Sequence, residues 1–334
     1  MDNRIIECIE RADYLISNLM AVKPGEEVLI AIDPQTDMRI ANAVAAAALK
    51  CGAEYNISMM PVRGKDKATI FPKTLESAME ACDVFIGMTA ASGAAIYNNR
   101  LKELINEKRL RECSICLRDI DNFTRGGALA DYEALYKDAE KLQAIWRGKK
   151  KAKITTPAGT DLIMEMNDME PIIECGIARK PGDAMAWSDG EVSLGPVIGT
   201  TEGTLIVDGP ICYYGTPAVP VELKIEGGKI VEVVGGDSKI CAEIRKQIKE
   251  IVDSDNIAEI GIGLNDRSLF NGDFEEEKKA RTTAHIAMGN GYYYGQPARS
   301  TVHIDMVLYN PTIYFDDELI EKNGKLVCLG EKAD

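Results

Sequence analysis

The chain has 334 residues and a formal net charge of −14, with 46% hydrophobic and 28% charged residues. That surplus of acid excludes nucleic acid and anionic membrane as main partners, since both need basic surface, and the length accommodates two domains of ordinary size. No apolar run approaches the roughly 18 residues that cross a bilayer, and the chain opens on an amphipathic pattern rather than an apolar leader, so a cytoplasmic protein is expected.

Along the chain, Ile5, Ile6, Ile9, Ala12, Leu15, Ile16 and Leu19 recur at helical spacing, and Pro24-Gly25 ends that helix. Residues 27–32 read as a buried strand, followed by an alanine-rich helix through about Leu49. Strands are expected at 55–59, 83–87 and 112–117, with helical patterns around 73–82 and 95–108 between them. A last helix carries Tyr132, Leu135, Tyr136, Ala139, Leu142 and Trp146. Strands alternating with helices imply a parallel sheet covered on both faces. No phosphate-binding glycine loop follows the first strand, and Gly261-Ile-Gly263 is a lone fragment, so a nucleotide-binding role is unsupported. The nine cysteines lack the regular spacing of a disulfide framework, and Cys113-Ser-Ile-Cys116 has no second pair to complete a zinc site; reduced core thiols are expected.

The basic run Arg147–Lys153 suits a linker, and after it short alternating strands and glycine turns dominate. Residues 221–226 and 229–234 flank Gly227-Gly228 as a β-hairpin. One helix places Ile240, Cys241, Ile244, Ile248 and Ile251 on one face, and further strands are expected at 259–262, 284–288, 301–309 and 312–315. Low complexity is limited to the acidic Glu275-Glu276-Glu277. The reading is an α/β protein of two domains. Residues 1–150 form an N-terminal parallel-sheet α/β domain, and residues 151–334 a C-terminal mainly β (α+β) domain.

The only two histidines of the chain, His285 and His303, both fall in that second half. His303-Ile304-Asp305 puts an imidazole and a carboxylate on one face of a strand, alternating with apolar Val302, Ile304 and Met306. Imidazole plus carboxylate is ligand chemistry for zinc, cobalt, manganese or ferrous iron; the alternative is the solvated face of an edge strand. Further candidates are polar residues oddly placed. Glu259 starts an otherwise apolar strand, Glu191 follows a turn, and Tyr292 sits in the glycine-flanked Gly289-Asn-Gly-Tyr-Tyr-Tyr-Gly295.

These segments carry a resemblance. The chain is similar, nearly end to end, to the aminopeptidase T and aminopeptidase S family of metallopeptidases. The similarity lies in residues 22–30, 155–162, 190–192, 202–204 and 226–229, and most specifically in Ile257-Ala-Glu-Ile-Gly261, His285-Ile-Ala-Met-Gly289 and His303-Ile-Asp305. The resemblance implies two adjacent divalent ions (zinc, cobalt or manganese) held by Glu191, Glu259, His285, His303 and Asp305, with Tyr292 at the place of the active-site tyrosine. Two such ions roughly 3.5–4 Å apart can lower the pKa of a shared water. Glu191, the more loosely committed carboxylate, would shuttle the proton, and Tyr292 would stabilise the oxyanion. The implied activity is removal of N-terminal residues from short peptides, or hydrolysis of a related small amide, by a homodimer.

A second group on the same scaffold, the 2,5-dihydroxypyridine 5,6-dioxygenases, uses one ferrous ion held by two histidines and a carboxylate. Its His-x-Asp matches His303-Ile-Asp305, and its other histidine falls where this chain has Glu259, while His285 keeps the peptidase pattern. Chain length favours the oxygenases and residue identity favours the hydrolases. Residue identity is given the greater weight, because ligands decide which metal chemistry is possible. A third reading, a metal kept for structure alone, fits poorly, since structural zinc sites are usually closed by cysteine and histidine.

Overall fold

The structure, a computed structural model, describes residues 4–63, 70–90, 94–116, 119–297 and 300–332. The chain divides into two compact units, Met1–Tyr132 with Glu174–Asp189, and Glu133–Ile173 with Gly190–Asp334. A single crossing near residue 150 does not describe this division, for two reasons. Ala184–Trp187 returns as a parallel strand beside Arg111–Cys116. Most of the helix Tyr132–Trp146 goes with the second unit, where Trp146 packs on Phe315 at 4.4 Å between ring centroids and Gln143 Nε2 donates to the Pro171 carbonyl.

The first unit is built on a five-stranded sheet, in the order Glu54–Met59, Glu27–Ile32, Val84–Thr89, Arg111–Cys116, Ala184–Trp187, with every neighbouring pair parallel. Continuous burial of Val84–Thr89 and nearly all of Glu27–Ile32 matches strands covered on both faces. The helix Met38–Lys50 starts where the Asp37 side chain accepts the Arg39 N–H, and it buries Ile40, Ala41, Ala43, Val44, Ala45, Ala47 and Ala48. Leu29, Phe71, Leu75, Met79, Phe85, Leu101 and Leu104 pack in one hydrophobic cluster. The strand expected at 112–117 is found as Arg111–Cys116, with Leu117 outside the described residues. Cys8, Cys82 and Cys113 lie buried and unbridged, as expected of core thiols.

The second unit is mainly antiparallel. Its seven-stranded sheet runs in the order Lys229–Val233, Val221–Glu226, Glu202–Val207, Asp161–Glu165, Lys151–Thr155, Thr312–Phe315, Glu318–Glu321. The Gly227-Gly228 hairpin is present, with both glycines at positive φ as its tight turn requires. A second sheet sets His303–Tyr309, Thr283–Gly289, Ile257–Gly263 and Glu191–Leu194 side by side, each pair antiparallel. One face of this sheet is core, formed by Ile260, Ile262, Ile286, Met288, Ile304, Met306 and Leu308. No helix among the described residues is long and apolar enough to cross a membrane.

A buried carboxylate in the first unit makes stability depend on pH. Glu112 is fully buried, accepts one hydrogen bond from Ser114 Oγ, and has its pKa pushed up to about 8 by burial, with the Asp189 charge adding to the rise. The folded protein therefore keeps a proton that the unfolded chain releases near its ordinary value. Stability should fall as pH rises from about 5 to 8, by at most about 1.4 kcal/mol per pH unit from this group. Glu112→Gln removes the titration, so its melting temperature relative to the parent should climb steadily across that window. A difference independent of pH would contradict this role for Glu112.

Candidate metal centre

Five ligand-type side chains are brought to one face of the second sheet by strand register. Glu259 lies opposite Ala287, which lies opposite Asp305; Gly261 lies opposite His285, Gly263 opposite Glu191, and Gly289 opposite His303. Directly paired residues share a face, so Glu191, Glu259, His285, His303 and Asp305 all project from the side that is not the apolar core. A β-bulge between Ile257 and Glu259 sets the parity: Ile257 pairs with Met288, yet Glu259, two residues on, pairs with Ala287. Bulges of this kind re-aim side chains next to functional sites.

The side chains converge in two clusters that share one residue. Glu191, Glu259 and His285 offer ligand atoms within 4.8 Å of one another, and so do Glu259, His303 and Asp305. Glu259 divides its oxygens between the two imidazoles, with Oε1 3.3 Å from His285 Nε2 and Oε2 2.9 Å from His303 Nε2. Asp305 Oδ1 is 3.1 Å from His303 Nε2, and Glu191 Oε2 is 3.7 Å from His285 Nε2. The side chains of His303 and Asp305 are withdrawn from solvent, not on a solvated edge: each is 5% exposed. His303 Nδ1 donates to the Asn290 carbonyl at 2.8 Å, which fixes its tautomer and directs Nε2 at the carboxylates. Tyr294 stacks on the His303 ring, with centroids 5.5 Å apart, and is itself buried.

The electrostatics follow from burying three carboxylates together. Burial alone would push the His303 pKa down, but Asp305 and Glu259 outweigh it and carry the imidazole up to about 10. Burial would raise the pKa of Glu259, yet His285 and His303 hold it below its ordinary value. Asp305 likewise resists burial and is held well below the usual carboxylate range by Lys278 and His303. The cluster thus draws positive charge into a desolvated site. Imidazole nitrogens and carboxylate oxygens converging there are a fitting donor set for a divalent metal.

Of the residues singled out in the sequence, the structure brings Glu191, Glu259, His285, His303 and Asp305 together. Tyr292 starts the turn Tyr292–Tyr294, its N–H donates to Asn290 Oδ1, and it is 43% exposed. Sequence reading passed over Asn290, Tyr294 and the lysine pair that follows the acidic run. Lys279 Nζ lies 2.8 Å from Glu191 Oε1, and Lys278 Nζ lies 2.8 Å from Asp305 Oδ2. The acidic run itself is not a solvated low-complexity tract, since Glu276 and Glu277 are buried and accept the N–H groups of Leu269 and Gly272.

Known proteins resemble this chain as follows. The model of a family described as NicX, 2,5-dihydroxypyridine 5,6-dioxygenase, matches residues 16–328. The 2,5-dihydroxypyridine 5,6-dioxygenase of Pseudomonas putida KT2440 is 26% identical over 189 residues, which cover 52% of this chain and 53% of that protein, so the alignment spans about half the length of this curated relative. The solved structure of 2,5-dihydroxypyridine dioxygenase from Pseudomonas putida KT2440 superposes with a TM-score of 0.79 at 18% identity, covering 96% of this chain and 97% of that one. Wild-type AmpT from Thermus thermophilus superposes with a TM-score of 0.68 at 15% identity, covering 96% and 99%. At these identities the two structures establish the shared fold.

One backbone position controls the centre. A Cβ on Gly261 would sit 2.1 Å from His285 Cε1 and 2.4 Å from Nε2, so only glycine lets the imidazole lie across the strand beside Glu259. Gly261→Ala should displace the ring and weaken divalent-metal binding at least about tenfold, with the circular dichroism of the fold retained. Metal affinity equal to the parent's would contradict this placement of His285.

Proposed function

The chain belongs to the NicX family of 2,5-dihydroxypyridine 5,6-dioxygenases, and we propose that it is a metal-dependent enzyme that uses ferrous iron and dioxygen to open the ring of a hydroxylated pyridine or a similar nitrogen heteroaromatic. The observation that carries this reading is the family match over residues 16–328, and the donors it would draw on are the two histidines, which lie on opposite oxygens of Glu259, and the carboxylates beside them. Two imidazoles and a carboxylate are the donor set of non-haem ferrous oxygenases. Bound ferrous iron would supply the one-electron chemistry that dioxygen requires.

The residues of the chain do the rest. His303 is presented through Nε2 because Asn290 takes its Nδ1–H. Tyr294, stacked on the His303 ring, restricts rotation of that ring. Asp305 and Glu191 each place an oxygen beside a histidine and add negative charge at the edge of the site. That charge favours a cation over a neutral occupant.

A second reading, hydrolysis of a short peptide or small amide on two divalent ions, is favoured by a different observation. The two three-residue clusters meet at Glu259, and a carboxylate shared between two sets of ligands suits a metal pair. In that reading Glu191 moves the proton and Tyr292 stabilises the oxyanion. The family match supports the oxygenase over this hydrolase, whereas residue identity in the sequence weighs the other way.

The test is protein purified without air, assayed for metal content and for oxygen uptake with 2,5-dihydroxypyridine and related dihydroxylated rings. About one iron per chain and substrate-dependent oxygen uptake are expected, and His303→Ala should reduce the uptake at least about a hundredfold while the fold is retained. Zinc, manganese or cobalt with peptide or amide hydrolysis, and no oxygen uptake, would overturn the oxygenase and leave the hydrolase.

A further inference from the structure

Two consecutive lysines reach the two outer carboxylates of the centre. Lys278 and Lys279 follow the short helix Phe274–Glu277, whose first turn is capped by Asp273. The Lys279 carbonyl is tied to the strand exit by the Asn265 N–H at 2.8 Å. From adjacent positions the two side chains diverge. Lys279 Nζ meets Glu191 Oε1 at 2.8 Å, with both side chains almost wholly buried, at 2% and 1% exposure. Lys278 Nζ meets Asp305 Oδ2 at 2.8 Å, with Glu275 at 3.3 Å and its ammonium over the Phe274 ring at 5.7 Å.

The two contacts repeat one arrangement. Each outer carboxylate gives one oxygen to a lysine and turns the other toward a histidine: Glu191 Oε2 toward His285 and Asp305 Oδ1 toward His303. Burying an ammonium is costly unless a carboxylate compensates it, and here the cost is met twice at adjacent residues. A carboxylate held at one oxygen rotates less freely, so its other oxygen is kept facing the histidine, where a metal ligand is needed.

We propose that Lys278 and Lys279 are positioning residues for metal binding, Lys278 acting through Asp305 on the Glu259–His303–Asp305 cluster and Lys279 acting through Glu191 on the Glu191–Glu259–His285 cluster. The proposal rests on the reading of these clusters as a metal centre, and it holds whether that centre takes one ion or two. Lysines present only to balance charge would act in the opposite sense, because removing them would leave the site more negative and would tighten its grip on a divalent cation. The sign of the change in affinity therefore separates positioning from charge balance.

The experiment is calorimetric titration of the full-length, chelator-stripped protein with Co2+ alone, comparing the parent with Lys278→Met and Lys279→Met, with circular dichroism of each. Both variants should bind Co2+ about 10- to 100-fold more weakly than the parent. Unchanged or tighter binding in the variants, with the parent binding normally, would overturn the positioning role and leave the metal centre standing. No Co2+ binding by the parent would overturn the metal centre and this inference with it. Should Lys279→Met fail to fold, Lys278→Met, whose parent side chain is less deeply buried, decides the question by the same criterion.

Discussion

The centre depends on one buried carboxylate. Glu259 stands in a strand whose every residue is buried, on a sheet whose other face is solid hydrocarbon, and it divides its two oxygens between the only two imidazoles of the chain. A carboxylate there is costly to desolvate unless it is hydrogen-bonded, and here an imidazole meets each of its oxygens. Glu191 and Asp305 enlarge the negative charge, and Lys278 and Lys279 compensate part of it from outside. The surrounding sequence follows from that demand. Ala287, Gly261, Gly263 and Gly289 each oppose a ligand across the sheet, so at these positions a large polar side chain faces a residue with almost none.

Much of this was legible in the sequence, and what was not has a physical cause. His303-Ile304-Asp305 announces itself through period-two alternation, and Glu259 stands out as a charge opening an apolar strand. The two histidines are near in sequence because their strands are neighbours in the sheet. Lys278 and Lys279 have no such signal: nothing local distinguishes a lysine that turns inward from one on the surface, and their partners lie on other strands. The bulge at Glu259 is equally silent, since it is a property of pairing. Gly261 and Gly263, which carry no meaning as a nucleotide motif, are explained by the imidazole and backbone lying against them.

At the level of the fold, the alternating helices and strands of the first half and the short antiparallel strands of the second are both found. The division between units was harder to read. Ala184–Trp187 is a four-residue strand whose sequence fits a parallel or an antiparallel neighbour equally well, and only its pairing with Arg111–Cys116 assigns it to the first sheet. The helix Tyr132–Trp146 is unmistakable from its periodicity, but periodicity does not say which unit its apolar face will join. In the same way, the donor set fits a divalent metal and does not say how many ions Glu259 would serve. The scaffold itself is shared with a dioxygenase and with AmpT.

The most direct test of this view is a crystal structure of the metal-loaded protein with anomalous scattering recorded at the absorption edge of the bound element. The expected result is a metal peak within bonding distance of Glu259 and of at least one histidine Nε2, with Lys278 and Lys279 still on the far oxygens of Asp305 and Glu191. A single peak beside Glu259 would match the ferrous reading, and two peaks, one in each cluster that Glu259 joins, would match the hydrolytic one. Loaded protein with no peak at Glu259, or with the metal held elsewhere, would contradict the central claim that this carboxylate organises the site.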